Sequence, residues 1–379
     1  MFGQIPICTI LFFMLYATAA VIPAIACCYL LLRRGNAFAP DITPPMRLRY
    51  WTAALFGSIA LGHVWYLPVA EATSNEDINQ SMRVGGLLDC MTLLPMAIII
   101  LLCMLQDRRR PLWPVWVMTA PLVAGMAMSI ATHSDKYLPV LYGYLLVLAV
   151  GLTIYMVKAL KQYGRWLRDN YADLEHKEVW QSFVVLTVIM LTSIIYVCDL
   201  GWQGYIYFVQ LCTIGLTFFL LWRVETLRDL STQQSLSIEE ENMVSKGIDQ
   251  TTTEPTKDEG LSSTTPDIIG PLLQQHCVDT QLYLQHDLTL QQLAQTIGIN
   301  RYYLSQYFSR QGTTYNAYIN GLRIHHFISL YYNAVASHRS FTTKQLALDS
   351  GYRSYSTFSL AFKQLMGQNV TTWMHDSAK

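Results

Sequence analysis

The sequence has no excess of either charge. Its 379 residues carry 26 basic and 26 acidic side chains, and only 14% of residues are charged. It also lacks the usual marks of catalysis. No HExxH, no GxSxG, no phosphate-cradling glycine loop and no paired carboxylates within an apolar stretch occur. No catalytic residue and no cofactor is therefore expected. The eight cysteines form no CxxC pair and lie almost entirely inside apolar runs. Seven of them read as small apolar residues, and no disulfide framework or metal-ligand cluster is visible. His276, His286, His325, His326, His338 and His375 likewise lack metal-ligand spacing, and the adjacent His325 and His326 point to different helix faces.

What is present is a sharp partition. Up to about Trp222 the chain is mostly apolar; after Arg223 it is polar, with apolar residues at helical spacing. A helix needs about 20 apolar residues to cross the hydrocarbon core. Seven stretches meet or approach that length: 7–32, 50–70, 84–105, 112–132, 137–157, 179–199 and 205–222. The first is too long for a cleaved signal peptide, no basic residue precedes it, and Arg33 and Arg34 follow it.

The loops predict orientation. With the N-terminus outside, the odd-numbered loops are cytoplasmic, and they carry Arg33, Arg34, Arg47, Arg49, Arg108, Arg109, Arg110, Lys158, Lys161, Arg165, Arg168 and Lys177. The opposite loops carry only Arg83 and Lys136, beside Glu71, Glu76 and Asp77. Positive charge collects on the cytoplasmic side, so an odd number of spans places the C-terminal part in the cytoplasm. Ionisable residues inside spans are costly and mark functional candidates. His63 and Asp89 both lie about 10 Å below the outer surface, with Asp199 at the outer end of the sixth span. The three predict either a polar pocket for an external or membrane-borne signal or a structural hydrogen bond between helices. Trp65, Tyr66, Trp113, Trp116 and Trp202 read as interfacial residues.

Residues 229–266 are rich in Ser, Thr, Glu and Gln, without aromatics, and read as a flexible acidic tether between a domain at 1–228 and another at 267–379. The second domain contains one pattern twice. LTLQQLAQTIGINRYYLSQYFSRQ begins at Leu288 and FTTKQLALDSGYRSYSTFSLAFKQ at Phe341. Leu293, Ala294 and Gly298 recur 53 residues later as Leu346, Ala347 and Gly351; Leu304, Ser305 and Phe308 recur 54 residues later as Phe358, Ser359 and Phe362. Each copy has the parts of a helix-turn-helix: a small residue at a close crossing, a glycine that ends the first helix, and a polar cap, Asn300 or Ser354, on the second. The anchors recur at i,i+4 and the opposite face is polar.

On LTLQQLA, NRYYLSQYF, YINGLRI and GYRSYSTFSLAFKQLMG, residues 267–379 resemble the DNA-binding domains of the arabinose-regulator (AraC/XylS) family. The resemblance implies seven helices, with two helix-turn-helix subdomains joined by a linking helix at about Tyr315 to Asn333, and each second helix in a major groove. Val370 departs from the proline common there, and Leu360 stands where a polar or basic residue is usual. The expected fold class is all-α: a seven-span transmembrane helical domain followed by the double helix-turn-helix domain.

By position, the groove candidates are Arg301, Tyr302, Ser305, Gln306 and Ser309 on the first recognition helix, and Tyr355, Ser356, Ser359, Leu360 and Lys363 on the second. Arg301 suits guanine, Gln306 adenine and Leu360 a thymine methyl. Arg310, Arg323, Lys344 and Arg353 are candidates for phosphates or for holding helices together, with Arg323 as readily structural. Eight basic residues (301, 310, 323, 339, 344, 353, 363, 379) against five acids (267, 279, 287, 349, 376) predict modest affinity for one copy. The expected partners are double-stranded promoter DNA, the lipid bilayer, RNA polymerase, a second copy of the chain and an unknown small-molecule or membrane signal. The leading expectation is a membrane-anchored regulator that couples a signal to transcription. The alternatives are a transporter or enzyme-like membrane domain with DNA binding as feedback, and spans that only anchor.

Overall fold

The structure is a computed structural model that describes residues 7–33, 35–40, 42–177, 179–198, 202–230 and 265–377. The described residues contain helices and no strand, apart from an isolated antiparallel bridge between Tyr171 and Thr289. They form two compact units. The first is Met1–Tyr163 with Val179–Thr232; the second is Gly164–Glu178 with Gln233–Lys379. The short segment Gly164–Glu178 thus clusters with the C-terminal residues, whereas the sequence alone assigns it to the apolar half. Its physical reason is described below.

In the first unit, helices α1 (Ile7–Leu32), α2 (Met46–Trp65), α3 (Pro68–Glu71), α4 (Asn75–Met91), α5 (Leu93–Met104), α6 (Trp113–Thr132), α7 (Leu138–Asn170), α8 (Ser182–Cys198) and α9 (Trp202–Thr226) cover the seven apolar stretches. Pro95 explains the break between α4 and α5, since its ring cannot sit over the carbonyl of Met91. Among the described residues five segments are long and apolar enough to cross a membrane: Thr9–Leu32, Asn75–Met104, Trp113–Thr132, Asp135–Asn170 and Ile206–Thr226. The other two of the seven expected stretches fall short there: α2 carries Arg47, Arg49 and His63, and α8 has 17 described residues, with 199–201 lying outside them. α1 packs on α2 and α9, α2 on α5, and α4 on α6. Leu30, Leu48, Phe56, Ile99 and Ile100 are fully buried, while Phe13, Ile25, Val117, Val140 and Val147 lie exposed.

Buried charges close the helix ends. Arg49 donates through Nε to the carbonyl of Leu30 at 2.8 Å and through its guanidinium to that of Arg33, taking up C-terminal carbonyls of α1. Arg110 pairs with Asp107 at 2.7 Å. Glu225 accepts from the amides of Ala37 and Phe38 at 2.9 and 3.0 Å and from the Tyr29 hydroxyl.

The second unit contains α10 (Thr265–Leu273), α11 (Leu290–Ile297), α12 (Arg301–Arg310), α13 (Tyr315–Ala336), α14 (Thr343–Asp349), α15 (Tyr355–Met366) and α16 (Val370–Ser377). Two cores lie along α13. Leu293, Ala294, Leu304, Phe308, Tyr315 and Ile319 belong to one. The other is more aromatic and holds Phe327, Tyr331, Tyr352, Phe358, Phe362 and Trp373. Arg323 on α13 links the segments around them: it donates to the carbonyls of Tyr283 and Gln285, both at 2.7 Å, and stacks over the Tyr352 ring. At 1% exposure it is structural, not a phosphate ligand.

Candidate nucleic-acid interface

Each recognition helix is set by its own local chemistry. α11 opens with a capping box in which Thr289 accepts from the Gln292 amide and the Gln292 side chain accepts from the Thr289 amide. It closes on Gly298 at φ 74°, a left-handed conformation that glycine adopts without strain. Asn300 then caps α12 by accepting from the Tyr302 amide at 2.7 Å. The second copy repeats this order. Thr342 caps α14, Gly351 follows its end at φ 91°, and Ser354 caps α15 by accepting from the Thr357 amide at 3.3 Å. Leu304 with Phe308, and Phe358 with Phe362, are the buried anchors.

With those residues turned inward, the polar faces turn out. Tyr302, Ser309 and Arg310 are exposed on α12, with Arg301, Ser305 and Gln306 half-buried. Tyr355, Ser356, Leu360 and Lys363 are exposed on α15, with Ser359 half-buried. Leu360, at 59% exposure, is the apolar exception on an otherwise polar face. Arg353 lies 3.8 Å from Asp287, and Lys344 is exposed. Arg301 is already engaged: its Nε donates to Asn170 Oδ1 at 3.1 Å, and its terminal nitrogen donates to the same oxygen. This partner gives no signal in the sequence, because Asn170 lies 131 residues away, at the end of α7.

Burial shifts the titration of groups behind this face. It pushes the Tyr318 hydroxyl up to about 12 and the Cys277 thiol up to about 11, and both stay neutral. His326 is pushed below its ordinary value by burial, so its neutral form is favoured; Nδ1 lies 3.3 Å from the Tyr283 hydroxyl.

The signal-pocket candidates find separate partners within the first unit. His63 Nε2 lies 2.8 Å from Gln210 Oε1, its Nδ1 lies 2.8 Å from the Ile59 carbonyl, and the Tyr16 ring meets it edge-on at 4.7 Å. Asp89 accepts from the Tyr66 hydroxyl at 2.8 Å. No hydrogen bond or ion pair joins His63 to Asp89 among the described residues, and Asp199 lies outside them. Gln210, only 7% exposed, was legible as an uncharged polar residue in an apolar run, but a search for ionisable groups passes over it. Among the described residues no group of His, Cys, Asp and Glu has the geometry to hold a metal ion.

No curated protein and no solved structure matches the chain. A family model described as "Helix-turn-helix domain" matches residues 293–376, which run from inside α11 almost to the end of α16. The C-terminal part of this chain is therefore similar to a helix-turn-helix domain over those residues.

Proposed function

We propose that this chain is a membrane-anchored, sequence-specific DNA-binding regulator of transcription. One observation carries the reading: two in-phase, separately capped helix-turn-helix motifs present polar recognition faces, in a chain whose other unit exposes long apolar helices. In this reading Tyr302, Ser305, Gln306, Ser309 and Arg301 meet one major-groove segment, and Tyr355, Ser356, Ser359, Leu360 and Lys363 meet the next. Arg310 serves the backbone. The duplex is promoter DNA, and contact with RNA polymerase and pairing with a second copy complete the regulator.

The five long apolar segments anchor the chain, with α2 and α8 completing seven crossings at the expense of buried arginines and a short helix. Outward-facing Phe13, Ile25, Val117 and Val147 suit lipid. The basic loops then place the C-terminal domain in the cytoplasm under the inner membrane of a bacterium. His63 with Gln210 and Tyr16, and Asp89 with Tyr66, form the polar interior on which an external or membrane-borne signal acts.

The test uses the full chain in lipid nanodiscs, selecting duplexes from a random pool. Recovery of a motif with two half-contacts about one helical turn apart is expected. Sequence-blind, salt-sensitive retention alone would overturn the claim of specificity. For the sensing claim, His63→Ala and Asp89→Asn should leave insertion and duplex binding intact while abolishing the response of a reporter gene to its inducing condition. An unchanged response would reduce the spans to an anchor.

A further inference from the structure

α7 does not simply end at the edge of the apolar half. Its last turns, from Gly164, belong to the second unit, and the chain continues from Asn170 as a strap that lies across the helix-turn-helix domain. The strap is seated at its centre. Ala172 is 1% exposed and is part of the first helix-turn-helix core. Its amide donates to the Leu288 carbonyl at 3.3 Å, and Tyr171 forms the antiparallel bridge to Thr289, the cap of α11. From the linking helix α13, Asn316 Nδ2 donates to the carbonyls of Tyr171 and Ala172 at 3.1 and 2.7 Å.

Its two ends reach the two recognition helices. On one side Asn170 holds Arg301, the first residue of α12. Asp169 lines a cavity of about 350 Å³ together with Ser305 and Ser309, one and two turns further along the same face. On the other side Glu175 Oε2 accepts from the Thr357 hydroxyl, in the first turn of α15, at 3.2 Å. Lys177 Nζ donates to the Asp173 carbonyl at 2.8 Å and lies 3.9 Å from Asp287, which folds the strap back on itself.

We propose that the strap, residues 164–177, is an intramolecular competitor of DNA for the reading face of both motifs. The inference rests on the DNA-binding reading above. Arg301 cannot turn its Nε–Nη2 edge to a guanine while both of those nitrogens serve Asn170. Asp169 and Glu175 bring carboxylates to the surface that must approach phosphates, where like charges oppose docking. Because α7 runs without a break from Leu138 to Asn170, a displacement of that helix acts directly on the strap. The signal then reaches the reader through α7 as a change in strap occupancy, and no torque need pass through residues 229–266.

The experiment compares two opposite variants of the full chain in nanodiscs, titrated with a random-sequence duplex of about 30 base pairs at low salt. N170A/E175A unseats the strap ends and should tighten binding about tenfold, within the range usual for allosteric coupling. Y171C/T289C, at bridge-paired positions close enough for a disulfide, should lose duplex binding when oxidised and regain it on reduction. Equal binding by the oxidised and reduced forms would overturn the proposal. Should the cysteine pair bind nothing even when reduced, N170A/E175A decides alone, and an affinity no higher than that of the unmodified chain overturns it. If no form binds, the unmodified chain included, the DNA-binding reading fails and the strap's role as competitor fails with it.

Discussion

The two helix-turn-helix motifs share a skeleton and differ in what surrounds it. The first is built mainly on aliphatic residues around Phe308 and Tyr315, takes Ala172 of the strap into its core and has Arg301 occupied. The second is built on a stack of rings, in which Phe358 touches Phe327, Tyr352 and Phe362, and its Lys363 is exposed. The glycines after the first helices diverge in the same way. A Cβ at Gly298 would meet nothing within 4 Å, whereas at Gly351 it would lie 2.8 Å from the Leu284 Cα and 2.9 Å from its carbonyl oxygen. One motif has its first arginine engaged and is open around its glycine. The other is rigid and pressed against the rest of its unit.

The largest effect is expected where the contrast should vanish. Arg323→Ala strands the carbonyls of Tyr283 and Gln285 and removes the stacking on Tyr352, so both motifs should lose about 3 kcal/mol or more in urea unfolding. Arg323→Lys should rescue little, since an ammonium cannot fork to two carbonyls in the same way. Gly351→Ala comes next, at about 3 kcal/mol from strain plus backbone collision, against about 1 kcal/mol for Gly298→Ala. Equal costs would mean that Leu284 yields and that the second motif is no more tightly held than the first.

A smaller effect separates the two faces on DNA. Gln306→Ala should cost about 1–3 kcal/mol at one base position read by the first motif, and Lys363→Ala about as much at one read by the second. Two further changes sharpen the account of the first motif. The Tyr315 hydroxyl is buried and has no hydrogen-bond partner among the described residues, so Tyr315→Phe should leave stability unchanged or slightly raised. His326 has a lowered pKa in the folded state, so its contribution is fully present above its ordinary value of 6.5 and declines as pH falls from there through the lowered value. His326→Asn should flatten that part of the stability profile, read by thermal melts between about pH 7 and 5.

Much of the second unit is legible in the sequence because its determinants are local. Caps act over three residues, anchors over four, and the 53-residue recurrence superimposes both sets, so Asn300, Ser354, Gly298 and Gly351 announce their roles. Groove-facing positions follow once the anchors are known. The strap is illegible for the opposite reason. Its contacts join Asn170 to Arg301 and Glu175 to Thr357, 131 and 182 residues apart, through ordinary polar side chains that fit any loop. Nothing in the sequence singles out Ala172, and only the fold shows it to be part of a core. In the apolar unit, length and hydropathy locate helices well. They do not reveal partners such as Gln210 and Tyr66, which depend on which helices become neighbours.

Seating Ala172 in the core of the helix-turn-helix domain has a consequence for how this chain could be dismantled. The reader has two attachments in parallel: the covalent one through residues 229–266, and the grip on residues 170–175, which are themselves continuous with α7. A single peptide-bond cut in the tether breaks only the first. The severed domain would stay at its post until the second let go, so proteolysis there would be a licence to leave and not the departure itself.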